Sequence, residues 1–537
     1  LMYLLSQNLR VDFARPVVLC CLGDAAATRG EVAEAFQVAV LKRLPVVYLV
    51  QDNEWAGAVR SDEIRAVDAY ELAGGFKGMK RVRLNGADFV DAYDKLQVAF
   101  EYVRQDRMPV VLHAKCPLLG HHDSRTRRET YRTEENLALH RRDEPLERLR
   151  RYLVIEGVTE GEMAEMERQA NLTVVEQFEQ ARMAMEPEPG NVMLYRFAPS
   201  PTIDERGLRQ PTDAPFVTFR EAGIRTIAEL LEARPAAVYL GEQVSSAKGG
   251  VFGEAAGLAA RYGPDRVVSM PPGESYLVGC AAGLSAAGAK PIVGVSSPQR
   301  LMAAMHQLNR LSECYYLTVG QTAVSAVLRV SVEKWDLETA LLQLKGLKIA
   351  CPSTAADLKG LMKTALEETN PVVLLEHADL YDLPEAGSAE PSADYRLPFG
   401  KARVALTASV EKRAVGQSLV VVTYGIGVHW SVAAAEHPGS VEVLDLRTLH
   451  PLDWEAVIEA VKRHGKALVV TAEPQRGSFA EALSGRIAQQ CFRFLDAPVW
   501  VCGSASVPAP PVSPTLLRVA TCSPASISEM IGQVLNF

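Results

Sequence analysis

Short β-branched runs alternate with amphipathic helical stretches along this chain, and that alternation restricts it to parallel sheets flanked by helices. Residues 16–23 read as a buried strand. Residues 31–43 read as a helix, with Val32, Ala35, Phe36, Ala39 and Val40 on one face. A strand over 45–50, a helix around 62–72, a strand over 81–84, a helix over 88–105 and a strand over 109–114 continue the rhythm of a doubly wound sheet. A charged helical stretch, 144–185, closes this part. Proline then recurs at 187, 189, 199, 201, 211 and 215 without periodicity, which predicts a linker over 186–215. A second alternating region follows, with strands expected over 236–241, 266–270, 291–295, 324–330, 347–350 and 371–375. The polar stretch 382–398 separates a third, with strands over 419–424, 441–446, 467–471 and 499–502. The expected division is 1–185, the linker 186–215, then 216–398 and 399–537, all α/β. The first domain is expected to be incomplete, because strand-like sequence begins almost at once after Leu1.

Bulk properties exclude several classes. The 537 residues suit about three domains of roughly 150 each. The net charge of -8 carries no basic stripe, which argues against nucleic acid. The longest apolar runs, such as Pro16 to Leu22, are too short to span a bilayer, and no signal segment is seen. Nine scattered cysteines without paired spacing suit a reducing, cytoplasmic setting.

Three places carry chemistry. Gly23-Asp24 ends the first strand and Asn53 follows the second, so both oxygen-bearing side chains fall at one edge of adjacent strands. A carboxylate, an amide oxygen and a backbone carbonyl, with phosphate oxygens and water, suit a magnesium ion, and the helix near Gly30 could favour the phosphates. A Gly-Asp turn is common enough that a purely structural role is as good an explanation. His121 and His122 sit in a polar, arginine-rich loop, where imidazole and basic groups could meet an anionic cofactor or simply face solvent. Glu242 and Glu274 each follow a strand, and Glu274 opens a Gly/Ala-rich helix that permits close packing; a surface glutamate at a helix start is the alternative.

The stretch GDAAATRGEVAEAFQVAVLKRLPVVYLVQDNEWA resembles the thiamine-diphosphate motif in the alpha subunit of branched-chain and pyruvate dehydrogenases. The resemblance implies that Gly23, Asp24, Ala25, Ala26, Asn53 and Trp55 hold the cofactor, with Asp24 and Asn53 as magnesium ligands and Trp55 giving a carbonyl. Ala25 replaces the motif's second glycine and is expected to crowd the diphosphate. Asp52 replaces its first asparagine. The loop LLGHHDSRTRRETYR, with Tyr131 and Arg132, is similar to the Gly-His-His loop of the branched-chain alpha subunit. It implies His122 as the active-site histidine, with His121 beside it. Asp123 stands at the regulatory serine position, so no phosphorylation is expected there. AAVYLGEQV and RVVSMPPGESYLVGCAAGLSAAGAKPIVGV resemble the beta subunit, where the glutamate at the Glu274 position meets the cofactor's pyrimidine ring and Glu242 lies nearby. That chemistry needs a carboxyl group shielded from water, able to share a proton with the ring nitrogen. GLKIACPSTAADLKGLM, EVLDLRTLHPLDWEAVIEAVKRHGKALVVTAEPQRGSFAEAL and LDAPVWV resemble the rest of that subunit.

The implied fold is a thiamine-diphosphate-binding α/β fold, with parallel-sheet PP and Pyr domains and a transketolase-type C-terminal domain, alpha and beta halves fused. The implied activity is oxidative decarboxylation of a 2-oxo acid, branched-chain by the Gly-His-His loop, with acyl transfer to a lipoyl-bearing acyltransferase. The implied cofactors are thiamine diphosphate and Mg2+, and the implied assembly is a homodimer. Three departures stand against this. The alpha subunit's N-terminal region, which holds part of the diphosphate site, is expected to be missing. Residues 294–300 offer no aromatic side chain to stack on the pyrimidine. Residues 329–335 run directly on to 337–346, without the family's glycine-rich loop and its histidine. Two alternatives follow: another thiamine enzyme, acetoin-cleaving or transketolase-like, or a degenerate copy that keeps fold and assembly without turnover.

Overall fold

The computed structural model describes residues 16–333, 337–435 and 439–537. They form two compact units, one ending at Pro189 and one running from Gly190 to Phe537.

In the first unit, β1 (Val18–Gly23), β2 (Val46–Asp52), β3 (Lys80–Asn85) and β4 (Val110–Lys115) form a parallel sheet in the order β1-β2-β4-β3. Alternate side chains of β2 feed opposite cores, as a sheet covered on both faces requires. Tyr48 and Val50 pack with Phe36, Ala39, Ala69 and Ala73, whereas Val47 packs with Leu84, Ala99, Val103 and Leu112. The register Gly23↔Gln51 brings the carboxyl ends of β1 and β2 level.

The helix expected around 62–72 is broken in two, Ser61–Ile64 and Ala69–Ala73. Asp68 causes the break. Its carboxylate accepts from the Glu71 N–H at 2.8 Å and the Glu71 carboxylate accepts from the Asp68 N–H at 3.0 Å, a reciprocal cap that starts a new helix. Arg65 lies in the gap. Two helices, Pro145–Ile155 and Glu160–Arg182, close the unit.

The second unit begins with the proline-rich stretch, which is not a free spacer. The Asn370 amide clasps Ala198 by both its N–H and its carbonyl, at 2.7 and 2.9 Å. Arg206 and Arg396 exchange backbone hydrogen bonds at 3.0 and 2.9 Å. Arg209 donates to buried Asp357 at 2.7 Å.

Strands β5 (Ala237–Gly241), β6 (Val267–Ser269), β7 (Lys290–Val295), β8 (Val327–Val332), β9 (Lys348–Ala350) and β10 (Val372–His377) are parallel. Then come β11 (Arg403–Leu406), β12 (Leu419–Thr423), β13 (Val441–Asp445), β14 (Thr448–His450), β15 (Ala467–Pro474) and β16 (Trp500–Ser504). Among the described residues two large sheets result, ordered β14-β9-β10-β8-β7-β5-β6 and β11-β13-β12-β15-β16. The sequence pattern predicts a second domain over 216–398 and a third over 399–537; β14, from the later region, pairs antiparallel with β9 of the earlier sheet. Asp357 binds the two together as well, with Arg209 at 2.7 Å and Arg447 at 3.0 Å around its fully buried carboxylate.

None of the nine cysteines forms a disulfide; the buried Cys502 and Cys522 sulfurs lie 3.7 Å apart. Among the described residues no helix is long and apolar enough to cross a membrane.

Candidate active site

The carboxyl edge of β1, β2 and β4 gathers a set of buried charges. Asp24, one residue past β1, is 3 % exposed. Its Oδ2 accepts from Ser61 Oγ at 2.9 Å and pairs with Arg65 Nη2 at 2.9 Å. Asp52, at the end of β2, is fully buried. Its Oδ1 accepts from the Glu54 N–H at 2.9 Å and lies 3.4 Å from Arg65 Nη2. Its Oδ2 meets His113 Nε2 at 2.8 Å and Lys115 Nζ at 2.9 Å, both from β4. Burial works against the Asp52 charge, but His113, Lys115 and the Glu54 N–H hold its carboxyl well below the usual range. Burial raises the Asp24 carboxyl, with Ser61 and Arg65 opposing and Asp52 adding to the rise.

Asn53 follows on the same edge, and its Oδ1 accepts from the Trp55 N–H at 3.0 Å. Asp24, Asn53 and the Trp55 carbonyl are hard oxygen donors, so the set fits magnesium in kind. It is held closed by Arg65, since the Asp24 oxygen nearest the guanidinium is already committed. Gly23 and Ala25 lead into a short turn, Ala26–Thr28, and then the helix Gly30–Leu41. Ala25 has φ -66° and ψ -34°, ordinary helical geometry that requires no glycine.

His121 and His122 are exposed, on a stretch without helix or strand. His121 Nδ1 accepts from the Arg128 N–H at 3.1 Å. Asp123 caps the following turn, accepting from the Arg125 and Thr126 N–H groups at 2.8 and 3.0 Å; these hold its carboxyl below the usual range. The base of the loop is fixed better than its tip. Tyr131 packs edge-on to buried Trp55 at 5.1 Å, and Arg132 donates to the Leu118 carbonyl at 2.7 Å. The loop is thereby anchored to the residue that follows Asn53 by two.

In the second unit, Glu242 stands immediately beyond β5, whose Gly241 is level with Ser269 of β6 and Gly294 of β7. Glu274 is the first residue of the helix Glu274–Ala286, and its side chain is 14 % exposed. Arg300, from the helix Pro298–Met302, forms an ion pair with Glu242 and lies 3.7 Å from Glu274 Oε1. The expectation that glycines in this helix allow close packing is not met within the chain: a Cβ on Gly279 or Gly283 would meet nothing within 4 Å. Lys334 and Trp335, where the family's histidine loop is expected and missing, lie outside the described residues.

The family model described as "Dehydrogenase E1 component" matches residues 9–190. "Transketolase, pyrimidine binding domain" matches 216–384 and "Transketolase, C-terminal domain" matches 408–527. The 2-oxoisovalerate dehydrogenase subunit beta of Bacillus subtilis is 33% identical over 56% of this chain and 92% of its own length. This chain belongs to the E1 components of the 2-oxo acid dehydrogenases. The pyruvate dehydrogenase E1 subunit beta of Rhizobium meliloti is 32% identical over 60% of this chain and 71% of its own. An acetoin:2,6-dichlorophenolindophenol oxidoreductase subunit beta from Cupriavidus necator is 32% identical over 56% and 92%. As an E1 component the chain is a thiamine-diphosphate-dependent enzyme, and Mg2+ is the usual companion metal of its family. Its layout, an E1 match before the two transketolase-type matches, fits a fusion of alpha-type and beta-type halves.

Sequence reasoning overlooked Arg65, His113, Lys115 and Arg300. One signal pointed to the first three: Asp52, a carboxylate where the motif has a neutral amide, at the end of a buried strand, needs cations.

Proposed function

We propose that this E1 chain decarboxylates a branched-chain 2-oxo acid and passes the acyl group to a lipoyl-bearing acyltransferase. The observation that carries the reading is Glu274: a shielded carboxylate at a helix start beyond β6, beside Glu242 through their shared neighbour Arg300. Thiamine diphosphate supplies the electron sink for loss of carbon dioxide. In this reading Glu274 holds and returns a proton at the pyrimidine, and Glu242 lies nearby. Gly23, Asp24, Ala25 and Ala26 line the diphosphate, Asp24, Asn53 and the Trp55 carbonyl take the metal, and His121 and His122 face the substrate. The reading includes the division at 185, 215 and 398 and a cytoplasmic setting. The branched-chain preference rests on the Gly-His-His loop and on the name of the Bacillus subtilis relative.

A substrate panel tests it. With thiamine diphosphate and Mg2+ supplied, branched 2-oxo acids should reduce an artificial electron acceptor at least ~10-fold faster than pyruvate, a pocket discrimination of a few methylenes. Faster turnover of acetoin than of any 2-oxo acid would favour the acetoin-cleaving alternative. The degenerate-copy reading draws support from Arg300, which pairs with Glu242 and stands 3.7 Å from Glu274.

The fused halves are proposed to pair as a homodimer, since two alpha-type and two beta-type halves make two chains. Light scattering at micromolar concentration should return twice the 58.5 kDa chain mass. A concentration-independent mass of one chain counts against the pairing.

A further inference from the structure

We propose that Arg65 is an internal competitor for the metal at Asp24, so that a divalent cation binds this chain only in conformations where the guanidinium has left that carboxylate. The inference rests on Asp24 as a metal ligand, proposed above. Three observations carry it. Arg65 Nη2 stands 2.9 Å from Asp24 Oδ2, with its side chain 6 % exposed, so the contact is shielded from water. The same nitrogen reaches Asp52 Oδ1 at 3.4 Å, which makes the guanidinium a bridge between the ends of β1 and β2. Both carboxylates already have cationic neighbours without a metal: Arg65 bridges Asp24 and Asp52, and Lys115, which also reaches Glu54 at 3.4 Å, pairs with Asp52 beside His113.

A magnesium ion takes carboxylate oxygens at about 2.1 Å. On Asp24 it would share one carboxylate with the guanidinium, and two cations that close in a low-dielectric site repel strongly. Metal entry therefore requires Arg65 to swing out. Nη1 of Arg65 is buried without a hydrogen-bond partner, so the side chain is only partly satisfied where it lies. The break between the helices Ser61–Ile64 and Ala69–Ala73 puts Arg65 on irregular backbone, where a swing disrupts no helix.

The test uses Mn2+ as probe, titrated into the full chain without cofactor and followed by electron paramagnetic resonance. Where a competent state is sparsely populated, apparent affinity falls by that fraction. Arg65→Gln should raise Mn2+ affinity at least ~10-fold over the parent, for a competent fraction of a tenth or less. Asp24→Asn added to Arg65→Gln should abolish the gain. If the single variant fails to fold, the paired Arg65→Gln/Asp52→Asn variant, which keeps the buried charge balanced, should show the same gain. Equal Mn2+ affinity for parent and Arg65→Gln, both lost on Asp24→Asn, overturns the competition and leaves Asp24 as a ligand. Mn2+ binding insensitive to Asp24→Asn overturns the ligand assignment and the competition together.

Discussion

Glu274→Gln is expected to slow deuterium exchange of the thiazolium proton on bound thiamine diphosphate by at least ~10²-fold, the lower end for loss of a positioned acid–base group. Cofactor affinity should change only a few-fold, because Glu274 is proposed to meet the pyrimidine ring and not the diphosphate. The expectation follows from position: Glu274 is the first residue of its helix, 14 % exposed, and among the described residues its ionic neighbour is Arg300, at 3.7 Å. Glu242→Gln is the control. It is paired with Arg300 in the structure, and its loss should have the smaller effect. Proton exchange followed by NMR on parent and both variants decides. A parent no faster than free cofactor identifies the degenerate copy. A fast parent with an equally fast Glu274→Gln shows that the catalytic carboxylate lies elsewhere.

The second large effect is on stability. Arg329 of β8 donates from Nε and Nη2 to the two oxygens of Glu376 on β10, at 2.6 and 2.7 Å, with side chains 3 % and 1 % exposed. The Tyr381 hydroxyl donates to the same carboxylate at 3.2 Å. Arg329→Met leaves a buried carboxylate without its cation, which costs about 3–5 kcal/mol. Arg329→Met/Glu376→Gln removes both charges and should recover most of that. Urea unfolding of the three proteins measures it. A cost below about 1 kcal/mol for the single variant, or a double variant no better than the single, contradicts the paired-charge account.

Much of the fold was legible because its central strands are buried on both faces. Runs such as Val46–Val50 and Val372–Leu375 are apolar throughout, and the helices between them keep one apolar face. The break at 65–68 was readable too, since Asp68 and Glu71 have the spacing of a reciprocal helix cap. Strand β14 was not readable: its three residues become a strand only by pairing with β9, about a hundred residues earlier. At the site, motif spacing placed Asp24 and Asn53 on one edge and Glu274 at a helix start. The two arginines escaped because their partners are distant in sequence. Arg65 comes 41 residues after Asp24, and Arg300 comes 58 after Glu242. Single charged residues in polar stretches give no periodic signal, and only the tertiary fold shows what they face.

The exchange of β14 between regions has a consequence for cooperativity. Among the described residues, 190–537 carry two large sheets, but the outer strand of one is supplied by the chain segment that builds the other. Cutting the chain near residue 398 would strip β9 of its neighbour and leave an open row of peptide groups, a template for association with other molecules. The two sheets should accordingly melt in one calorimetric transition rather than two, with van't Hoff and calorimetric enthalpies in agreement for this unit. A fragment meant to isolate the pyrimidine-binding part would need residues 448–450 restored in trans, or a charged edge engineered onto β9, to stay monomeric.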